Sequence, residues 1–521
     1  MDVTVKRSGE ARFRAVSSFE PIASATVQRT NTPDVLLVDL NQFASFPTLA
    51  IGLLTAALRQ RGHRVQVLCP LAYDVPGVQR ERAETFKDYL SMRIRLSDSR
   101  LVVFARELSR APREWRRNRP HPAILREISR QLTDGTDAIL VSAYLNHSQA
   151  VRAIADLAAE RGIPMILGGP MFNLPEVAAE WRRIPGVTAV VGGESELHVA
   201  NLVEALIRGG EAAIARLPGV TLPSGSPQTP TPPLRPLNSV PFADFTDFPW
   251  DRYPVRIVPM MTGRGCQWDK CTFCSDVISA SGRTFRTRSV ENVLLEVEEQ
   301  SRRHSTSNFL FIDLKLNSYP NMFRGLADGM RRHVRDAEWI GTVHVDMRKD
   351  NGLSRSDLAA AAKGGMRRIN FGLESGSQRL LDAMRKGSSV EANSAFIRHA
   401  YEAGLSIRCS MFKGYPGETA EDMQLTARFL EAHAPYLDRI RFCDFSLPIG
   451  TPLHEALMRN GGSNDLMSVT ANVGSRAFAR YEWKEAKDRS YRRAKARLLR
   501  VVHEINRRPL RPSARQFDGL M

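Results

Sequence analysis

Two long stretches of the sequence alternate short apolar runs with helical patterns, and a proline-rich segment at residues 222–242 separates them. That segment, LPSGSPQTPTPPLRPLNSVPF, is dense in proline and serine, so we expect an extended linker that cannot form part of a core. The alternation on either side is typical of parallel sheets with crossover helices. The sequence therefore predicts two α/β domains in series, for which a chain of 521 residues has room.

The first α/β stretch covers residues 33–221 and is interrupted by a basic, mostly helical insertion at about 72–130. Its apolar runs end in small or polar residues, among them Asn41, Ser142, the pair Gly168 and Gly169, and the run from Gly192 through Gly193 to Glu194. Ligands of open parallel sheets bind at the carboxyl ends of the strands. These residues are therefore candidates to contact a ligand.

The second stretch covers residues 250–455 and contains six strand–helix units, which predict a partial (β/α)6 barrel. Barrel enzymes carry their sites at the carboxyl ends of the strands. His344 and Asp346 end the third predicted strand and are candidates to face a substrate. The remaining boundaries are a loose arm at 1–32, the linker at 222–249 and a basic helical C-terminal region at 456–521.

The charge balance of 73 Lys and Arg against 56 Asp and Glu gives a net charge of +17. We interpret the basic runs as solvated helical faces, because no aromatic-interleaved RNA-binding pattern accompanies them, and we expect no nucleic-acid partner. No stretch approaches the roughly 20 apolar residues that span a bilayer, and the first residues lack the apolar core of a secretory signal. The expectation is a cytoplasmic protein without a membrane partner.

Three of the six cysteines lie within the segment GRGCQWDKCTFCSD, as Cys266, Cys271 and Cys274. Thiolates are the ligands of zinc sites and of iron–sulfur clusters. A structural zinc site needs a fourth ligand, and none is suitably spaced. Three thiolates on one loop leave one metal position open, which favours a [4Fe–4S] cluster whose fourth iron binds a substrate or cofactor. Zinc and unrelated core cysteines remain alternatives.

The cysteine segment and the residues after it resemble the radical S-adenosylmethionine (SAM) superfamily over about 200 residues. The commonest motif of that family has three residues between the first two cysteines, whereas this chain has four, from Gln267 to Lys270. Further similar segments are FIDLKLN, FGLESGSQRLLDAMRKG at 371–387 and KGYPGET at 413–419. They come after the cysteines in the family's order and at barrel spacing.

The resemblance implies a [4Fe–4S] cluster on the three cysteines and SAM bound to its open iron. It also implies a SAM-contacting set of residues: Phe273 beside the adenine, Asp313 at the amino group, and Glu374 and Ser375 after the fourth strand. Arg408 is a further candidate, at the SAM carboxylate, with a surface salt bridge as the alternative. Cleavage of SAM then yields a 5′-deoxyadenosyl radical that abstracts hydrogen from an unactivated C–H bond. The electron comes from a reducing partner such as flavodoxin or ferredoxin, and no side chain is identified as catalytic.

The first α/β stretch resembles the cobalamin-binding domain that precedes many radical SAM domains. The matching segments are PTLAIGLLTAALRQRGHRVQVL at 47–68, DAILVSAY, GIPMILGGP and GVTAVVGGESE. The implied fold is a Rossmann-like, flavodoxin-like sheet, and the implied cobalamin contacts are Asn41, Ser142, Tyr144, Gly168, Gly169, Gly192, Gly193 and Glu194. A flavodoxin-like sheet without a cofactor is the alternative.

One departure from the cobalamin pattern concerns the loop after the first strand. Domains that ligate cobalamin with histidine carry Asp-x-His-x-x-Gly there, whereas this chain reads Asp39-Leu40-Asn41. Because Asn41 replaces the histidine, an imidazole of this motif cannot be the lower axial ligand. A weakly ligated or open lower face favours methyl transfer from methylcobalamin to a carbon radical.

The sequence thus predicts a cobalamin-dependent radical SAM enzyme that methylates an unactivated carbon in a small-molecule or natural-product intermediate. One alternative is radical cyclisation or rearrangement without methyl transfer. Others are modification of a peptide or RNA, and a non-enzymatic iron–sulfur or zinc module. A gain of one CH2 in product mass separates methylation from rearrangement.

Overall fold

The computed structural model describes residues 32–78, 82–133, 135–225, 229–274, 285–346, 352–473, 477–483 and 489–520. The predicted arm at 1–32 lies outside the described residues except for Thr32. Residues from Pro33 onward form one compact unit, so both predicted α/β regions belong to the same body. No helix of the described chain is both long enough and apolar enough to cross a membrane.

The N-terminal region is built on a six-stranded sheet of order β2-β1-β3-β4-β5-β6, with only β6 antiparallel to its neighbour. The strands are β1 Asp34–Asp39, β2 Arg64–Leu68, β3 Ala138–Ser142, β4 Met165–Gly168, β5 Ala189–Val191 and β6 Val220–Thr221. The five parallel strands confirm the predicted doubly wound α/β sheet. Their apolar runs are buried because helices cover both faces.

Eight helices accompany this sheet among the described residues, and four of them form the predicted helical insertion. The helices are α1 Leu49–Gln60, α2 Phe86–Arg95, α3 Arg100–Leu108, α4 Arg110–Asn118, α5 Pro122–Gln131, α6 Ser148–Glu160, α7 Pro175–Trp181 and α8 Val199–Ile214. The insertion comprises α2 to α5. The short helix α7, which begins at a proline, has no counterpart in the sequence-based expectation.

The second region has six parallel strands in the order β14-β13-β12-β11-β10-β7, as a partial barrel requires. All strands from here to the C-terminus are β7 Val258–Met260, β8 Gly263–Arg264, β9 Arg286–Thr287, β10 Asn308–Phe311, β11 Glu338–Val343, β12 Met366–Glu374, β13 Ser406–Lys413, β14 Arg439–Asp444, β15 Leu447–Pro448, β16 Met467–Val473 and β17 Phe478–Trp483. The six predicted strand–helix units are therefore present.

The helices of this region are α9 Val290–His304, α10 Pro320–His333, α11 Arg355–Lys363, α12 Gln378–Ala383, α13 Val390–Glu402, α14 Ala420–His433, α15 Pro452–Arg459 and α16 Arg489–Asn506. Capping boxes begin α11 at Ser354 and α14 at Thr419. In each box the hydroxyl accepts from the backbone amide of an aspartate three residues later, and the carboxylate of that aspartate accepts from the backbone amide of the capping residue. The box at Thr419 places the start of α14 directly after the KGYPGET loop.

The expectation that the linker cannot form part of a core is wrong for its second half. Leu234, Leu237 and Val240 are buried in an apolar cluster that runs through both regions. Phe245 is fully buried against α1, where a side chain at Gly52 would clash with its ring. Proline limits regular structure, but the apolar residues between the prolines still gain by burial. The linker therefore packs the two regions together.

The C-terminal region, which was expected to be helical, also contains strands. Strands β16 and β17 pair antiparallel with each other, and β17 pairs with β15, to form a three-stranded sheet. Helix α16 is present, and beyond it the chain lies at the amino-terminal end of the barrel. There Arg439 donates to the Arg508 carbonyl at 2.7 Å, and Arg368 donates to the Phe517 carbonyl at 3.2 Å.

Candidate functional site

The three clustered cysteines lie on one loop that begins at the carboxyl end of β7 and passes through β8. Cys266 and Cys271 are close enough to interact electrostatically, and the Lys386 ammonium interacts with Cys271 and Cys274. Cys271 is buried, while Cys266 and Cys274 are half-buried. The structure thus brings Cys266 close to Cys271, and it brings Cys271 and Cys274 close to one lysine.

The residues around these thiols suit an anionic cluster. Burial raises the pKa of the Cys271 thiol, and the nearby Lys386 ammonium acts in the opposite direction. Burial alone would lower the pKa of Lys386, but Glu374 and the thiolates hold it above its ordinary value, so this lysine is a permanent cation. No three His, Cys, Asp or Glu side chains of the described residues converge on a single metal-binding point. A [4Fe–4S] cluster needs no such convergence, because each thiolate binds a different iron.

The cysteine loop is held by the segment that comes after α12. The Thr272 amide donates to the Met384 carbonyl at 3.0 Å, and the Trp268 indole donates to the Arg385 carbonyl at 2.8 Å. Gly387 has φ +68°, and a side chain there would clash with the Trp268 ring. Glycine at this position therefore permits the loop to approach closely.

A tyrosine in the KGYPGET loop provides a second support. The Tyr415 hydroxyl lies 2.8 Å from the Thr272 hydroxyl and donates to the Ala383 carbonyl at 3.1 Å. Both Gly414 and Gly417 adopt positive φ angles on either side of this contact. The loop after β13 therefore braces the residue between the second and third cysteines.

Asp313, predicted to bind the SAM amino group, lies at the base of the same loop. Its carboxylate accepts bonds from the Thr262 amide at 3.0 Å, the Thr262 hydroxyl at 2.7 Å and the Gly263 amide at 2.8 Å. Burial raises its pKa, and these bonds oppose the rise. Asp313 therefore fixes the exit of β7 toward the cysteines, and its contact with SAM stays a prediction.

Three other predicted SAM contacts also lie at this end of the barrel. Glu374 has φ +59° and pairs with Lys386 at 3.0 Å. The Phe273 ring packs against the Phe412 ring at 5.1 Å, and the Ser375 hydroxyl lies 3.1 Å from the Thr426 hydroxyl. Glu374 and Phe273 share Lys386 as a neighbour, whereas Ser375 is directed to α14. Their roles in SAM binding stay predictions.

Arg408 does not join this group. It is the third residue of β13, and Lys413 at the carboxyl end of that strand lies about 16 Å further along. Its guanidinium donates to the Asn370 side chain on the neighbouring strand at 2.9 Å. This arginine therefore lies near the amino end of its strand, and its contact with the SAM carboxylate stays a prediction.

A buried polar group that sequence reasoning only partly identified lies beside the cysteine loop. Lys315 pairs with Asp346 at 2.7 Å, and both side chains are buried. The Nε2 of His344 donates to the Lys386 carbonyl at 2.9 Å, and burial lowers the pKa of this histidine to about 4. The sequence indicates His344 and Asp346 as site residues because they end a predicted strand. Lys315 and Lys386 lie in segments that resemble the family, but nothing else in the sequence distinguishes them.

The carboxyl edge of the N-terminal sheet holds a cavity of about 330 Å³. Most of the predicted cobalamin contacts line it, namely Asn41, Ser142, Tyr144, Gly168, Gly169 and Glu194. Side chains of α1 and α8 close the opposite wall, including Thr48, Leu54 and Val199. A second cavity of about 500 Å³ adjoins this edge, and Asn41 and Tyr144 line it as well. The edge thus offers space on both sides of Asn41.

Gly192 and Gly193 do not line either cavity. A side chain at Gly192 would clash with the Phe172 carbonyl, and Gly193, with φ +89°, lies against Thr231. These glycines permit close packing of protein loops, and their contact with cobalamin stays a prediction. At Gly168, by contrast, the nearest atom to an added Cβ is the Val191 carbonyl at 3.9 Å.

The loop that replaces the histidine motif is internally hydrogen-bonded. Asn41 donates to the Asp39 carboxylate from both its amide nitrogen and its side chain, each at 2.9 Å. Burial raises the pKa of Asp39 to about 6, although Thr48 and Asn41 oppose the rise. Asn41 is therefore held at the junction of the two cavities, as a ligand-facing residue requires.

Residues 260–430 match the family model of the radical SAM superfamily. This range contains the cysteine loop, Asp313, Lys386 and four complete barrel strands, β10 to β13. The chain therefore carries a radical SAM domain, and the predicted resemblance is confirmed. Membership implies a [4Fe–4S] cluster and SAM as the cofactors of this domain.

Two curated relatives extend this similarity. The chain is 28% identical over 306 residues to an uncharacterised methyltransferase of Pyrococcus horikoshii, across 57% of this chain and 63% of that protein. It is 27% identical over 277 residues to the anaerobic magnesium-protoporphyrin IX monomethyl ester cyclase of Rubrivivax gelatinosus, across 51% and 48%. The matched part is thus less than two thirds of the length of either relative.

Solved structures match nearly the whole chain. The radical SAM methyltransferase TsrM from Kitasatospora setae, solved with cobalamin and a [4Fe–4S] cluster, gives a TM-score of 0.62 at 17% identity, covering 90% of this chain and 91% of TsrM. The cobalamin-dependent radical SAM enzyme OxsB, solved with aqua-cobalamin and SAM, gives 0.64 at 15% identity, covering 89% and 66%. At these identities the likeness shows a common fold that includes both regions.

Proposed function

We propose that this protein is a cobalamin-dependent radical SAM enzyme that methylates a carbon atom of a small molecule. One observation carries the proposal: a single body joins the three-cysteine loop to a sheet whose carboxyl edge is hollow. TsrM and OxsB have this fold. The structure of TsrM contains cobalamin and a [4Fe–4S] cluster, and that of OxsB contains aqua-cobalamin and SAM. The tryptophan bound to TsrM supports a small-molecule substrate.

The residues of the barrel suit the first part of this function. Cys266, Cys271 and Cys274 would hold the cluster, and Lys386 would balance its negative charge. Asp313 and Tyr415 fix the loop on which the thiols lie. When bound, the cluster and SAM supply a radical that takes hydrogen from the substrate, and cobalamin supplies a methyl group.

The N-terminal sheet suits the second part. The 330 Å³ cavity lies between the sheet and helices α1 and α8, and Ser142, Gly168 and Gly169 form its rim. Asn41 stands where a histidine would ligate cobalamin, and Asp39 holds its side chain. We therefore expect cobalamin to bind without an imidazole from this loop.

A radical cyclisation without methyl transfer is a second candidate, which the similarity to the protoporphyrin ester cyclase favours. That reaction and methylation both begin with hydrogen abstraction. They differ in whether SAM also donates its methyl group. The two candidates therefore predict different fates for SAM.

The experiment is anaerobic reconstitution with iron, sulfide and hydroxocobalamin, followed by SAM and a strong reductant. Methylation predicts both 5′-deoxyadenosine and S-adenosylhomocysteine, and SAM labelled with CD3 should label the bound cobalamin. Formation of 5′-deoxyadenosine alone supports cyclisation. A fully loaded protein that yields neither product contradicts both candidates, and Cys266→Ala is the negative control.

A further inference from the structure

Four charged side chains, of which Glu196 and Arg286 are buried and Glu194 and Arg264 are half-buried, connect the hollow sheet edge to the base of the cysteine loop. Both terminal nitrogens of the Arg264 guanidinium donate to the Glu196 carboxylate, at 2.5 and 3.3 Å. One of them also lies 3.4 Å from a carboxylate oxygen of Glu194. Arg286 donates to both oxygens of Glu194, at 2.5 and 2.8 Å. We refer to these four residues as the carboxylate–guanidinium bridge.

The bridge joins elements that are far apart in the sequence. Glu194 and Glu196 come after β5, the last parallel strand of the N-terminal sheet. Arg264 pairs with Arg286 across the β8–β9 hairpin and precedes Cys266 by two residues. The bridge therefore connects this sheet edge to the start of the cysteine loop.

The linker takes part in the same network. The Leu234 amide donates to Glu194 at 2.9 Å, and Arg286 donates to the Leu234 carbonyl at 3.1 Å. Burial alone would raise the pKa of Glu194, but Arg286 and Arg264 hold it below its ordinary value. The bridge is thus two anions and two cations with fixed partners on three segments.

A buried ion pair is weak evidence of stability, because desolvation costs about as much as the attraction returns. What such pairs do supply is geometric specificity, and bidentate arginine–carboxylate contacts define both distance and angle. Glu194, Glu196 and Arg264 also line the 330 Å³ cavity. The same side chains therefore touch the cavity on one side and the loop base on the other.

We propose that the carboxylate–guanidinium bridge sets the distance and angle between the cluster loop and cobalamin, with Arg264 as the principal positioning residue. This inference rests on the proposed function. A substrate that meets a radical on one side and a methyl donor on the other needs both at near-attack distance, and a misplacement of about 1 Å can cost on the order of 100-fold in rate.

The test uses the reconstituted protein with its cluster reduced and cobalamin in the cob(II)alamin state. The reduced cluster speeds the electron spin relaxation of cob(II)alamin, and pulsed EPR converts this enhancement into a separation between the two centres. Arg264→Lys keeps the charge but loses the two-pronged contact. Arg367→Lys is the matched control, since Arg367 pairs with Glu338 at 2.7 Å near the amino ends of β11 and β12.

We expect Arg264→Lys to retain iron and cobalamin but to give a distribution of separations about twofold broader than the wild type, in proportion to the lost bidentate constraint. Arg367→Lys should match the wild type. Glu196→Gln preserves the shape of the side chain and should give the same broadening. It replaces Arg264→Lys in the test if that variant does not fold. Hydrogen exchange in the protein without cofactors should accelerate at residues 263–274 for Arg264→Lys only.

A distribution of separations as narrow as that of the wild type in both bridge variants, with both centres loaded, overturns this inference and leaves the proposed function intact. Failure of the wild-type protein to bind cobalamin at all overturns the proposed function and this inference together. The first result comes from the variants and the second from the wild type, so the two failures are distinguishable.

Discussion

Both six-stranded sheets of this molecule carry their candidate sites at the carboxyl ends of their parallel strands, but the side chains at these two edges differ. The barrel edge carries ionised groups in buried pairs, Lys386 with Glu374 and Lys315 with Asp346. The N-terminal edge carries cavities lined mostly by apolar, amide, hydroxyl, phenol and glycine groups, and the charged lining of the 330 Å³ cavity, Glu194, Glu196 and Arg264, belongs to the bridge to the barrel. Its own buried carboxyl group, Asp39, accepts from Asn41 and Thr48, which are neutral partners.

This difference reflects what each edge would hold. An anionic cluster and the charged ends of SAM need fixed countercharges, because charges are costly in a site without water unless they are paired. A large ligand of mixed polarity needs volume and a rim without bulky side chains. We therefore call the barrel edge a charge-matched site and the N-terminal edge a space-matched site. A substitution that alters ligand binding at one edge should leave ligand binding at the other edge unchanged.

The largest expected effect is removal of a single thiol from the barrel edge. Cys271→Ala should abolish both the cluster and SAM cleavage, because one iron of the cube loses its ligand. Iron analysis and assay of 5′-deoxyadenosine measure these losses. Cys409→Ala is the control, since Cys409 is fully buried within β13, and it should keep its iron. Full iron content in Cys271→Ala would contradict the assignment.

Breaking a buried ion pair should have the next largest effect. Lys386→Met leaves Glu374 buried without its cation and should cost about 3–5 kcal/mol of unfolding free energy. The double variant Lys386→Met with Glu374→Gln should recover part of that loss, since no unpaired charge remains. Urea denaturation of the protein without cofactors measures both. Equal losses in the single and double variants would argue against a coupled pair.

The pH dependence of stability tests Asp39 at the N-terminal edge. Its pKa in the folded chain is about 6, above the value near 4 of an unfolded aspartate, so the folded state binds the proton more tightly. The associated stability is present below pH 4 and is lost as the pH rises through 6. Wild type should therefore lose about 3 kcal/mol relative to Asp39→Asn between pH 4 and pH 7.5. A difference that stays constant with pH would show that the pKa of Asp39 is the same in the folded and the unfolded chain.

The smallest expected effect comes from filling the space-matched site. Ser142→Trp should occupy part of the 330 Å³ cavity and weaken hydroxocobalamin binding by about tenfold, or about 1.4 kcal/mol. Iron content should not change. Gln66→Trp on the exposed face of β2 is the control and should bind normally. Equal affinity in the two tryptophan variants would place the cobalamin site elsewhere.

Much of the fold was predictable because its signals are local. The apolar run predicted to end at Ser142 is strand β3, which ends at that residue. Apolar runs of this length between helical patterns have few other solutions than a parallel sheet. The burial of apolar linker residues and the strands β16 and β17 were not predicted. Proline-rich and basic segments do not indicate which other elements pack against them.

Spacing along the chain was enough to establish the order of strands and helices, the trio of cysteines and the absence of histidine at position 41. The pairing of buried charges could be read only from the packed chain. Packing joined Arg264 to Glu196 across 68 positions, brought Lys386 to thiols more than a hundred residues earlier, and left Arg408 away from them. Local periodicity fixes which face a side chain occupies, whereas the depth and partner of a buried charge depend on how separate elements pack.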